Sequence, residues 1–250
     1  MPLERNRRYT LTLGVLLLAF WGILAIAPVD RPTWVLENVL FVIAIPLLAL
    51  TYRRLTLSRV SYTLIFFFLC LHAVGAHFTY SLVPYDQWAT QLTGTSLNES
   101  LGWQRNHYDR FVHFLFGALL GYPVRELFVR VAGARGFWGY FLPLVMMMAA
   151  SMVYELIEWW AAVKFGGDLG VHYLGTQGDE WDGQRDMALA SLGALLAMAI
   201  TAMINLALQR DFAREWQGSL RVKRPEPLGE VAMVRMWQAR RAKREKRSEA

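Results

Sequence analysis

The sequence predicts an all-α fold: a polytopic membrane helix bundle with six transmembrane helices and both termini cytoplasmic. Three observations carry this expectation. First, 55% of the 250 residues are hydrophobic. They gather in six runs, near 9–27, 34–52, 60–80, 111–131, 138–163 and 187–208, and a helix needs about 20 apolar residues to cross a bilayer. Second, alternating strands of about ten residues are absent, which argues against an outer-membrane barrel. Third, Lys and Arg divide 21 to 5 between the two sides of the runs, and the richer side is the cytoplasmic one.

The first run follows Arg5, Arg7 and Arg8. Ala25-Ile26-Ala27 mimics a signal cleavage site, but Pro28 follows at once and the apolar stretch exceeds a usual signal core, so the run reads as an uncleaved helix. Arg53, Arg54 and Arg59 separate the second run from the third. The third holds Cys70, the single cysteine, so no intramolecular disulfide forms. The fourth is the weakest, because Pro123, Arg125 and Glu126 predict a short or kinked core. The fifth and sixth are long and apolar. Residues 1–208 form the transmembrane domain and balance 14 basic against 14 acidic side chains. Residues 209–250, a basic cytoplasmic tail with 12 basic and 6 acidic side chains, carry the net charge of +6. Pro225, Pro227 and Gly229 separate two short helical patches in the tail, and its end, "RRAKREKRSEA", reads as disordered. Such a tail suits anionic lipid. No nucleic-acid-binding fold surrounds the charge.

The costly residues are unevenly placed. Across 137–162, Glu155 and Glu158 of "YELIEWW" are the only charges, although a carboxylate in lipid costs on the order of a few kcal/mol. In the predicted orientation, the third helix ends outward at His77 and Tyr80, with His72 deeper. The fourth begins with Asp109 and His113, four apart on one face. Glu155 lies about 10 Å below the outer end of the fifth helix, with Glu158 nearer the surface. The sixth enters with Asp179, Asp182 and Asp186 at i, i+3 and i+7, one face if the helix starts that early. Histidines and carboxylates of four helices therefore share one depth on one side. The expectation is a polar pocket opening outward, floored by Glu155 and Glu158.

Four roles fit these residues. Carboxylate and imidazole are ligands for zinc, manganese or magnesium, and such a metal activates water or polarises a phosphoryl or carbonyl group. A buried glutamate also serves as a metal-free proton donor or relay. The same groups suit an ion or substrate in transit. Finally, Arg110 and Arg185 would neutralise the acids in an ion-pair lock that fixes helix packing. Singly, the signals are ordinary. Asp109 reads as a helix cap with His113 at the interface, Asp179 as a cap after Gly178, and His107 and His172 as solvated loop residues. His72 fits equally a site role and a satisfied polar position in the bundle. Met146-Met147-Met148 reads as packing, and Trp88, Trp103, Trp159, Trp160 and Trp181 as an interfacial belt. The shared depth is what points to function.

The stretches "HAVGAHFTYSLVP", "YDRFVHFLFGALLGYPVRELF", "YELIEWWAA" and "QGDEWDGQRDMALASLGALL" resemble the YjdF-type family of bacterial inner-membrane proteins over about residues 60–205. That resemblance implies architecture and brings no established activity. A more distant likeness is to VanZ-like membrane proteins. Asp109-Arg110-x-x-His113-Phe114 follows their Asp-Lys-x-x-His-Phe pattern, and Glu155 and Glu158 stand where they carry Glu and Gln. Asp186 and Gly193 match in spacing, but Ala190 replaces their Asn and Arg185 sits beside the Asp instead of well before it. This likeness implies an outward-facing pocket and an envelope lipid or glycolipid ligand.

The leading expectation is a metal-dependent hydrolase or transferase acting on an envelope lipid-linked substrate. Glu155, Glu158, His113 and Asp109 are the candidate catalytic groups. Asp109, His113, Glu155, Asp182 and Asp186 are the candidate ligands of a divalent zinc, manganese or magnesium ion. Arg110, Arg185, His77 and Tyr80 are the candidate substrate-binding groups, two arginines suiting a phosphate. A small-molecule, ion or proton-coupled transporter and a structural ion-pair lock remain open.

Overall fold

The computed structural model describes residues 2–165, 177–208, 212–223 and 227–248. Among them are ten helices and no strand. They are α1 (Pro2–Leu24), α2 (Arg31–Thr51), α3 (Arg59–His77), α4 (Tyr85–Thr93) and α5 (Leu97–Leu101), then α6 (Tyr108–Val131), α7 (Trp138–Phe165), α8 (Asp182–Leu208), α9 (Phe212–Ser219) and α10 (Leu228–Ser248). Six of the described helices, α1, α2, α3, α6, α7 and α8, are long and apolar enough to cross a membrane.

Local chemistry sets several boundaries. Asp30 caps α2 by accepting from the Thr33 amide at 2.8 Å, and Ser58 caps α3 by accepting from Ser61 at 3.2 Å. Each cap satisfies an amide that the first turn leaves without a partner. The fourth apolar run, expected to be short or kinked, is one unbroken helix of 24 residues with Pro123 buried inside it. Its polar end is compensated by neighbours. Glu126 accepts from the Ser58 amide and from Ser61 Oγ at 2.6 Å, and the Arg125 guanidinium sits 4.5 Å above the Tyr140 ring. The sixth run also starts earlier than its apolar core, at Asp182.

α6 and α8 form the tightest crossing. A Cβ on Gly117 would lie 1.9 Å from the Ala190 carbonyl, and one on Gly193 would lie 2.0 Å from the Phe114 carbonyl. Small residues allow such backbone approach where lipid supplies no hydrophobic drive between helices. Gly121 faces Ala194, Ala197 and Met198 further along, so the two helices run in the same sense. α7 packs on both α6 and α8, while α1 and α2 lean on α3.

The two ends of the bundle differ. At the basic end, Asn6 donates to the Leu57 carbonyl, and Arg130 donates to Thr56 and pairs with Glu126. α9 docks at this end: the Phe137 amide donates to Ser219 Oγ at 3.0 Å, and Trp216 packs on Phe137 and Tyr140. α10 is helical through Ser248, across a stretch whose composition predicts little order; its Arg, Lys, Ala and Glu residues are strong helix formers. The opposite end carries the acids and is called the site end below.

Candidate functional site

After α3 the chain turns back on itself. Thr79 and Tyr80 adopt φ of 55° and 53°, and the Tyr80 amide donates to the Gly75 carbonyl at 2.7 Å. The Tyr80 ring then lies where a Cβ on residue 75 would sit, 2.6 Å from its Cε1, so only glycine fits there. This fold-back brings the Tyr80 hydroxyl against His72 Nδ1, while His72 Nε2 meets the Glu37 carbonyl at 3.0 Å. Both nitrogens of His72 are thus engaged, and the residue lines the site as a satisfied polar group.

The α6–α8 crossing determines what lies one turn closer to the site end. His113 precedes Gly117 by four residues and Asp186 precedes Ala190 by four, so the close approach of Gly117 and Ala190 draws His113 toward Asp186. One ligand atom from each of Asp109, His113 and Asp186 lies within 4.8 Å of the others. His113 Nε2 is 3.6 Å from Asp109 Oδ1 and 3.3 Å from Glu155 Oε1. Gly183 gives Glu155 its room: a Cβ there would lie 2.8 Å from Glu155 Oε2. Glu158 is buried, and the neighbouring Tyr154 hydroxyl donates to Glu37 Oε2 at 3.2 Å.

Two cavities meet at this cluster. One, of about 150 Å³, is lined by His72, Tyr80, Asp109, His113, Ser151 and Tyr154. The other, of about 480 Å³, lies between α7 and α8 and is lined by Glu155, Glu158, Asp179, Asp182 and Asp186. At the rim, Arg110 pairs with Asp179 and, at 3.0 Å, with Asp182. Arg105 reaches Asp182 at 2.9 Å, and Arg185 pairs with Asp179. Asp179 also accepts from the Trp181 amide at 3.1 Å. The rim therefore neutralises its own charge, while Glu155 Oε1 and Asp186 Oδ1 stay buried with no hydrogen-bond partner among the described residues. Buried oxygens of that kind call for a proton or a cation.

Of the residues singled out from the sequence, Asp109, His113, Glu155, Glu158 and Asp186 come together. Asp182 and Arg110 form the rim above them, and Arg185 is an exposed rim group. Tyr80 backs the smaller cavity. His77 stands apart, its Nδ1 on the Leu24 carbonyl at 2.7 Å and its ring on Phe78. His107 is half-buried against Trp103, and His172 lies outside the described residues. Three contributors escaped the sequence reading as site groups. Glu37 is 4% exposed and is the one charged residue of the second apolar run, the same signal that marks Glu155. Tyr154 sits inside "YELIEWW", and Arg105 is a loop residue with no spacing signature.

Two comparisons with known proteins bear on this arrangement. A family model described as "Predicted membrane protein (DUF2238)" matches residues 9–206. The Inner membrane protein YjdF of Escherichia coli (strain K12) is 39% identical over 184 residues, covering 73% of this chain and 84% of that protein. No solved structure matches the chain.

Proposed function

This chain belongs to the DUF2238 family of predicted membrane proteins, and from that premise we propose that it is a bacterial inner-membrane protein with a divalent-cation centre on Asp109, His113 and Asp186. The relative's name supports the inner membrane, and the 21-to-5 division of basic residues supports cytoplasmic termini, with the site end facing outward. One observation carries the cation: ligand atoms of the half-buried Asp109 and the buried His113 and Asp186, from two helices, lie within 4.8 Å of one another. Two of those side chains are carboxylates in a membrane-embedded bundle, where a divalent charge offsets what lipid cannot. Metal–ligand bonds to such groups are about 2.0–2.2 Å long, so binding would draw the three side chains together.

Metal-assisted hydrolysis or group transfer on an envelope lipid-linked substrate is the reading we favour. In this reading Glu155, 3.3 Å from His113 and lining the larger cleft, takes or gives a proton. The cleft between α7 and α8 is flanked by the exposed apolar side chains of Leu156 and Trp159, which suits an amphipathic substrate. A second reading has its own support: His113 lines one cavity and Glu155 the other, 3.3 Å apart, which suits the transfer of a proton or small cation between them.

Elemental analysis of protein purified in mild detergent separates them. Near-stoichiometric zinc, manganese or magnesium, lost in His113→Ala/Asp186→Ala, supports the cation centre. No divalent metal in the wild type even after reloading overturns it. Proton flux in proteoliposomes, abolished by His113→Ala, would then support the second reading.

A further inference from the structure

α1 and α2 converge at the site end. Trp21 stacks on Trp34 and Phe41 with ring centroids 5.8 and 5.2 Å away, and its Nε1 donates to Asn38 Oδ1 at 2.5 Å. Toward the basic end a space of about 530 Å³ lies between α1, α2 and α3. Its walls are aliphatic and aromatic, among them Leu13, Leu17, Ile45, Leu48 and Ile65. Its polar lining is concentrated toward the basic end, with Arg7 and Arg53 at the mouth. Among the described residues neither arginine forms an ion pair with a carboxylate.

We propose that this cleft binds one anionic phospholipid, its acyl chain between α1, α2 and α3 and its phosphate between Arg7 and Arg53. The dimensions suit it. The lining on α1 runs from Arg7 to Leu17, about 15 Å at the helical rise, or roughly half the hydrocarbon thickness of a bilayer. That is the depth of one leaflet, with the guanidinia at headgroup level. Under the orientation proposed above, this is the cytoplasmic leaflet, whose anionic lipids attract basic residues. Guanidinium matches phosphate in a bidentate fork, and the net negative charge of phosphatidylglycerol favours it over phosphatidylcholine, whose own quaternary ammonium offsets the phosphate. A chain in the cleft would cover α1, the least buried of the six spans.

Native mass spectrometry of the full chain, titrated with phosphatidylglycerol or phosphatidylcholine of identical acyl chains, tests the site. The expected result is one phosphatidylglycerol held in clear preference to phosphatidylcholine. Arg7→Gln/Arg53→Gln should weaken that lipid roughly 30-fold, at the usual worth of two basic groups near a membrane surface. Gly14→Leu should abolish binding by filling the cleft; a Cβ at Gly14 meets nothing within 4 Å, so wild-type helicity is expected in circular dichroism. Equal binding of the two lipids, or wild-type affinity in the double arginine variant, would overturn the proposal. So would tight binding that survives in a folded Gly14→Leu protein, which would place the lipid on the basic tail. Should Gly14→Leu not fold, the arginine variant decides alone.

Discussion

His113 Nε2 lies 3.3 Å from Glu155 Oε1, and the two side chains line different cavities. The contact lies between a smaller cavity bounded by α2, α3, α6 and α7 and a cleft between α7 and α8. Glu155 Oε1 nevertheless makes no well-formed hydrogen bond among the described residues. An imidazole at that distance without proper alignment is a contact poised to be completed by a proton or by a cation shared with Asp109 and Asp186.

Asp182 and Asp186 are one turn apart on α8, yet they should behave differently. Asp182 belongs to the rim, at 2.9 Å from Arg105 and 3.0 Å from Arg110. Asp182→Asn weakens a largely buried ion-pair network and is expected to destabilise by about 2–3 kcal/mol, toward the low end for such pairs, with bound metal retained. Asp186→Asn should retain the melting temperature within a few degrees and lose metal affinity by at least about tenfold. Thermal melts and elemental analysis of the two variants check this, and a matching loss of metal in both would merge rim and centre.

The α6–α8 crossing predicts a contrast between two glycines on one face. Gly117→Ala would set a Cβ 1.9 Å from the Ala190 carbonyl, a backbone atom that cannot rotate aside. The helices must separate, at a cost of about 3 kcal/mol or more, the upper range for overpacking. Gly121→Ala meets Ala197 and Met198 side chains at 3.4 Å and should change stability by less than about 1 kcal/mol. Detergent melts of both variants measure the difference; equal melting temperatures would contradict the crossing.

The six spans were legible because long apolar runs and their basic flanks are properties of the chain itself. The polar cluster was legible for the same reason: Asp109, His113, Glu155 and Asp186 share a depth that can be counted along each helix. Depth does not give azimuth, however. His77 sits at the expected level but turns toward Leu24, while Glu37, near the start of α2, turns inward to Tyr154. Which guanidinium reaches which acid also depends on the packed loops: Arg105 joins Arg110 on Asp182, while Arg185 pairs with Asp179. Pro123 does not shorten α6, and the polar residues beyond it meet groups far along the chain, Glu126 on Ser61 and Arg125 over the Tyr140 ring.

The turn after α3 carries its own test. Tyr80→Phe removes the partner of His72 Nδ1 in a buried setting and should cost about 1–2 kcal/mol. Gly75→Ala would set a Cβ 2.6 Å from the Tyr80 ring, displacing that ring and breaking the same bond. If both variants act through the His72–Tyr80 contact, the double variant should be little worse than Gly75→Ala alone. Additive losses in melts of the three proteins would show that the two positions act independently.

The last prediction concerns pH outside the membrane spans. Asp86 accepts from the Asn98 amide at 2.9 Å and from Ser96 Oγ at 2.9 Å, tying α4 to α5. The Asn98 amide is the main cause of a pKa below the ordinary aspartate value of 3.8. A depressed folded-state pKa means the folded state binds fewer protons than the unfolded one. Its contribution is therefore complete above about pH 4, the unfolded value, and is lost as pH falls through the lower folded value. Hydrogen exchange at the Asn98 amide, normalised for its intrinsic pH dependence, should show protection that holds from neutral pH to about 4 and then drops. In Asp86→Asn that drop should vanish, with lower protection throughout. A drop that persists unchanged in the variant would assign the acid sensitivity of this loop to another group.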